Sequence, residues 1–183
     1  MALQNLKTYF ESSNRQDFIK LIKSTSLISE KIQASSFHVK RSSNGEFEFY
    51  KSGSKIPMNK VDRTIVKYYE NAINYFKSLD PKLLEKLPTD WKFGFDYLPT
   101  KKAVDIEYDI LPKNNLILTH IQTISPSNPT QIKKVIRDPN ILYHWSDLLE
   151  VQRPQIIFQG KLSEDQIAEL LSILELSDEA FKN

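Results

Sequence analysis

FHVKRSSNGEFEFYKSGSKIPMNKVDRTIVK, residues 37 to 67, decides how the chain is read. Phe37, Val39, Phe47 and Phe49 put apolar groups on one face of two extended segments, and His38, Lys40, Glu46 and Glu48 fall on the other. Between them Ser42-Ser43-Asn44-Gly45 tolerates positive φ, so a β-hairpin is expected. The stretch holds seven basic residues (Lys40, Arg41, Lys51, Lys55, Lys60, Arg63, Lys67) against three acidic ones (Glu46, Glu48, Asp62). That balance suits a phosphate-facing surface, and a lysine fixed on a strand has a set direction, as catalysis requires.

Downstream, Ile56-Pro57 ends the extended run and Asn59 is a ready helix cap. Val61, Ile65, Tyr68, Tyr69, Ala72, Ile73 and Phe76 predict one long amphipathic helix to about Leu79. Asp80-Pro81 opens a short turn or helix through Lys86. From Trp91 the period switches to two, with Phe93, Phe95 and Tyr97 on one face and Lys92, Gly94 and Asp96 on the other. A glycine there lets a flat ligand or another backbone come close, with Asp96 beside it.

Ala103 to Asp109 predicts a further strand. Its Asp105, Glu107 and Asp109 share a face suited to a divalent cation or, the preferred reading, to a charged strand edge. Leu116 to Ile121 predicts an interior strand, and its His120 is either a base or ligand or a satisfied structural residue, the second being preferred. Ser125 to Pro129 reads as a loop and Asp138-Pro139 as the start of a helix carrying Ile141, Leu142, Trp145, Leu148 and Leu149. Pro154 to Phe158 reads as a last strand, and Ser163-Glu164-Asp165-Gln166 as a capping box. Two short helices are expected before residue 34, from Leu3, Leu6, Phe10 and from Phe18, Leu21, Ile22.

Lys40 with Gly45, then Lys51-Ser52-Gly53-Ser54-Lys55, then Phe93-Gly94-Phe95-Asp96-Tyr97 resemble the first half of the covalent nucleotidyltransferase superfamily, the ATP-dependent RNA and DNA ligases. The spacing from Lys40 to Gly45 is longer than the family's, and Asp96 stands where glutamate is customary. The resemblance implies an α+β fold, a mainly antiparallel sheet with flanking helices. It implies that Lys40 attacks ATP to form a lysyl-AMP, that Arg41, Lys51, Ser54, Lys55 and Asp96 bind the nucleotide or its phosphates, and that Mg²⁺ assists. RNA or DNA would accept the adenylate. The family's later motifs would lie beyond Asn183, so an N-terminal portion of a longer protein is expected, with residues 1 to 34 a helical segment, 35 to 176 the ligase-like domain and 177 to 183 the start of a further helix or tail. The alternative is a non-catalytic α+β module that binds nucleic acid or protein.

Composition limits the field further. The 183 residues contain no cysteine, which removes disulfides, thiolate metal sites and cysteine nucleophiles together. Net charge is +2, too balanced to announce by itself a protein that coats nucleic acid, and the basic character is local. No run approaches the ~18 apolar residues of a membrane span, and no secretory signal is read at the N-terminus, so no membrane partner and a cytoplasmic location are expected. There is no Walker-type glycine loop, HExxH or Gly-x-Ser-x-Gly, and the three histidines are isolated in sequence.

Overall fold

The computed structural model describes residues 26–29, 32–58, 63–103, 106–125, 128–166 and 168–169. The two helices expected before residue 25, and the segment after 170, lie outside the described residues. The chain groups into two compact units, residues 1–31 with 155–183, and residues 32–154.

In the larger unit, six strands form one antiparallel sheet in the order β4-β3-β2-β5-β8-β9. They are β2 (Ser35–Arg41), β3 (Phe47–Lys51), β4 (Ser54–Lys55), β5 (Trp91–Tyr97), β8 (Leu116–Ser125) and β9 (Asn128–Ile136). Four helices accompany them: α1 (Arg63–Tyr68), α2 (Glu70–Lys77), α3 (Pro81–Lys86) and α4 (Pro139–Leu148). This is the expected α+β architecture, a mainly antiparallel sheet with accompanying helices.

Alternation builds the core. Phe37 and Val39 of β2, Phe49 of β3, Phe93, Phe95 and Tyr97 of β5, and Leu118 and Ile121 of β8 are all buried. They meet Ala72, Ile73 and Phe76 of α2 and Leu142 and Trp145 of α4 in one apolar cluster. The Phe37 ring stacks on Phe49 and Tyr69 at centroid distances of 5.8 and 5.3 Å. Burying rings of this size contributes roughly 1.5–3 kcal/mol each before chain entropy is counted. One sheet face is thereby committed to packing, and the other carries the polar side chains.

The β2–β3 hairpin turns at Gly45, whose φ of 86° is costly for any residue with a Cβ. Ser42 N–H donates to the Glu46 carbonyl at 2.8 Å to close it. Asp80 caps α3 by accepting from Lys82 N–H at 2.8 Å, and Asp138 caps α4 by accepting from Asn140 N–H at 2.9 Å.

Four expectations are corrected. The long helix after Asn59 breaks at Tyr69 (φ −97°, ψ 14°). Consecutive tyrosines reach consecutive residues of β2: the Tyr68 hydroxyl is 2.8 Å from Ser35 Oγ, and the Tyr69 hydroxyl donates to the Ser36 carbonyl at 3.1 Å. Neighbours on a regular helix diverge by about 100°, so the helix gives way there. Second, the segment from Ala103 to Asp109 is not one strand. Lys102 and Ala103 (β6) pair with Glu107 and Ile106 (β7) in a two-stranded ribbon.

Third, β9 begins at Asn128, inside the expected loop, and pairs with β8 through register shifts at Thr123/Ile124 and Ile124/Ser125. These irregularities break the two-residue period that announces a strand. Fourth, in the smaller unit, β10 (Ile156–Gly160) starts two residues later than expected and pairs with β1 (Ser26–Ser29), a strand that no pattern announced. The capping box forms: Ser163 Oγ accepts from Gln166 N–H at 3.2 Å, and Gln166 Oε1 accepts from Ser163 N–H at 3.0 Å.

Candidate functional site on the polar face of the sheet

In an antiparallel sheet, directly paired residues project to the same side. The pairings Lys55↔Tyr50, Tyr50↔His38, His38↔Gly94 and Gly94↔His120 therefore form one transverse row on the polar face. Glu48↔Lys40, Lys40↔Lys92 and Lys92↔Gln122 form the next, and Ser36↔Asp96 lies on the other side of the histidine row. Lys40, Lys55 and Asp96, far apart in sequence, thus share one face. Asp96 is four residues along β5 from Lys92, the partner of Lys40, which is about 13 Å along the strand.

The remaining expected residues are directed elsewhere. Arg41 shares the parity of Phe37 and Val39, and its guanidinium donates to the carbonyls of Glu85 and Leu87, both at 3.4 Å, at the end of α3. These contacts fasten the end of the helix from the side of the sheet opposite Lys40. Lys51 and Ser54 pair with one another and line a hollow of about 240 Å³ with Lys55, Ile56 and Ile65. They belong to the sheet edge, away from Lys40.

The polar face mixes cations with carboxylates: Lys40, Lys55 and Lys92 share it with Glu48 and Asp96. Lys55 Nζ donates to Glu48 Oε1 at 2.6 Å and the Tyr50 hydroxyl donates to Glu48 Oε2 at 2.8 Å. The hydrogen bond from Lys55 chiefly holds the Glu48 carboxyl below its usual range. Burial, then the Glu48 carboxylate, pushes the Tyr50 phenol up. Lys92 Nζ sits 4.5 Å above the Tyr50 ring, a cation–π contact. Burial, then the charge of Lys40, holds the Lys92 amine below the ordinary lysine range.

His38 and His120 lie edge to face at 5.3 Å. Burial lowers each to about 4, assisted by His120 and Lys92 at His38 and by Arg137 and Lys92 at His120. Both are neutral at pH 7. His120 is tied down: Thr119 Oγ1 is 3.0 Å from its Nδ1, and Gln122 Nε2 is 3.2 Å from its Nε2. Its ring lies flat over Gly94, where an added Cβ would fall 2.3 Å from Cε1 and 2.5 Å from Nε2. The close approach that Gly94 permits is therefore to His120, which corrects the expectation that a flat ligand or a backbone would use that space.

Sequence reasoning missed Lys92 and Arg137. The parity of Lys92 with Gly94 and Asp96 was a signal. Arg137 follows β9, which its own pattern concealed. Among the described residues, no group of three or more metal-ligating side chains forms, and no helix is long and apolar enough to cross a membrane.

No protein-family model matches the chain. It is similar, at 26% identity over 140 residues, to a protein of Archaeoglobus fulgidus that is described as uncharacterized. The match covers 73% of this chain and 37% of that relative, so the chain spans well under half of the relative's length.

Proposed function

We propose that this chain carries the lysine-bearing part of an ATP-dependent polynucleotide ligase-like nucleotidyltransferase of the cytoplasm, with Lys40 as its nucleophile. The observation that carries this reading is that Lys40, Lys92, Lys55 and Asp96 share one sheet face whose reverse is sealed by aromatic packing. Cations lodged on strands there suit a triphosphate, because their directions are fixed before it binds.

The chemistry balances simply. The Lys40 ammonium gives up a proton, and the neutral amine forms a nitrogen–phosphorus bond at the α-phosphate. The bond from that phosphorus to the bridging oxygen breaks, and pyrophosphate leaves with the electron pair. Loss of the second nitrogen proton completes the phosphoramidate. Lys92 and Lys55 face the anionic oxygens, and Asp96 faces the ribose or orients the metal through water. Mg²⁺ is ordinarily held by one or two carboxylates together with substrate phosphates, so Asp96 with ATP fits it, and it would neutralise the departing pyrophosphate.

Incubation with α-labelled ATP and Mg²⁺ is expected to leave an acid-labile covalent label that Lys40→Ala abolishes. Label that survives Lys40→Ala, or no label at all, overturns the assignment. A second reading, anion binding without covalent chemistry, is favoured by one observation: His120 fills the space over Gly94. On that reading, oligonucleotide binding to this face weakens steeply with salt and survives Lys40→Ala.

A further inference from the structure

A groove of about 670 Å³ opens on the helix side of the sheet, where Ser35 of β2 pairs with Tyr97 of β5. It lies one residue past the Ser36↔Asp96 pair, on the opposite face from Lys40. Lys67, at the end of α1, and Lys102, in β6, both line it, and no carboxylate does among the described residues. Ser35, Thr64 and Thr100 line it as well.

One lining residue breaks the rule that large rings are buried. Tyr68 is 44% exposed, although its ring edge meets Tyr69 at 4.8 Å and Tyr97 at 5.8 Å. Its hydroxyl is fixed by Ser35 Oγ at 2.8 Å. An anchored, solvent-exposed aromatic ring therefore lines the same groove as two lysines.

We infer that this groove binds single-stranded nucleic acid, with a base stacked on Tyr68 and backbone phosphates on Lys67 and Lys102. Charge complementarity selects an anion. The exposed ring selects one that carries flat apolar groups, which an acidic peptide does not supply at every residue. A duplex hides its base faces, so an unpaired strand is the occupant. The inference goes beyond nucleotidyl transfer and does not require Lys40.

The test is fluorescence anisotropy of a short fluorescein-labelled single-stranded RNA titrated with the whole chain at several salt concentrations. Lys67→Ala with Lys102→Ala is expected to weaken binding and to lower the slope of log K against log salt by about 1.4, at roughly 0.7 per phosphate contact. Tyr68→Leu is expected to weaken binding roughly tenfold, within the range for loss of one stacked base. Binding is read without ATP or Mg²⁺ and labelling without RNA, so failure here and failure of ATP labelling remain distinguishable. Circular dichroism checks that each variant folds, and the exposed lysine pair keeps the test decisive should Tyr68→Leu unfold. Wild-type affinity in the lysine pair overturns the inference. So does loss in the lysine pair with none in a folded Tyr68→Leu, which would mark a site for acidic peptides or any polyanion.

Discussion

Gly94→Ala tests the packing at the centre of the polar face. The new Cβ would lie 2.3, 2.5 and 2.8 Å from three atoms of the His120 ring, whereas carbon atoms in contact stand about 3.5–4.0 Å apart. The ring must retreat by more than about 1 Å, against its links to Thr119 and Gln122 and its edge contact with His38. Overpacking of this kind costs about 1–3 kcal/mol. Removing a glycine also lowers the entropy of the unfolded chain, which offsets about 0.4–1 kcal/mol. The net expectation is a loss of about 0.5–2 kcal/mol, or roughly 1–8 °C in Tm for a chain of this size. Thermal unfolding followed by circular dichroism at pH 7 measures it. In a His120→Ala background the obstacle is gone and only the entropic term remains, so the same substitution should become neutral or stabilising. A Gly94→Ala protein as stable as the parent, or an equal penalty in both backgrounds, would refute the stacked arrangement.

The histidine pair makes stability depend on pH. His38 and His120 are lowered from about 6.5 to about 4, so between those values the unfolded chain binds protons that the folded one refuses. Stability should therefore fall as pH falls from about 6.5 to 4 and change little further from these groups below that, by up to roughly 3 kcal/mol for one such shift. Urea midpoints at pH 7, 5.5 and 4.5 measure the slope, which His38→Gln with His120→Gln should flatten; an unchanged slope contradicts the assignment. Arg41→Met removes two donors to carbonyls at the end of α3 and should cost about 1 kcal/mol while leaving ATP labelling intact. Labelling lost from a folded Arg41→Met protein would return Arg41 to the nucleotide site.

Local pattern made most of the architecture legible. Phe37, Val39, Phe47 and Phe49 announced the hairpin, Trp91 to Tyr97 the central strand, and Asp80 and Asp138 their helix caps, because strand parity and capping act over a few residues. Parity also assigned Lys40 and Asp96 to the polar sides of their strands. It separates Arg41 from Lys40 just as firmly, since adjacent strand residues point oppositely. Reading the basic cluster as one surface overlooked that.

Other features depended on contacts distant in sequence. The pairing of β1 with β10, the irregular β8–β9 ladder and the helix break at Tyr69 each reflect a partner tens of residues away or a shift in register. The amino-acid order alone determined which side chains β2, β3 and β5 show to either face, because backbone sterics repeat every two residues. Only the tertiary structure decided that Lys92 lies beside Lys40, that His120 covers Gly94 and that Tyr68 stays exposed in a groove that two lysines also line. Strand order and the choice of partners are set by burial summed over the whole chain, which no short stretch encodes.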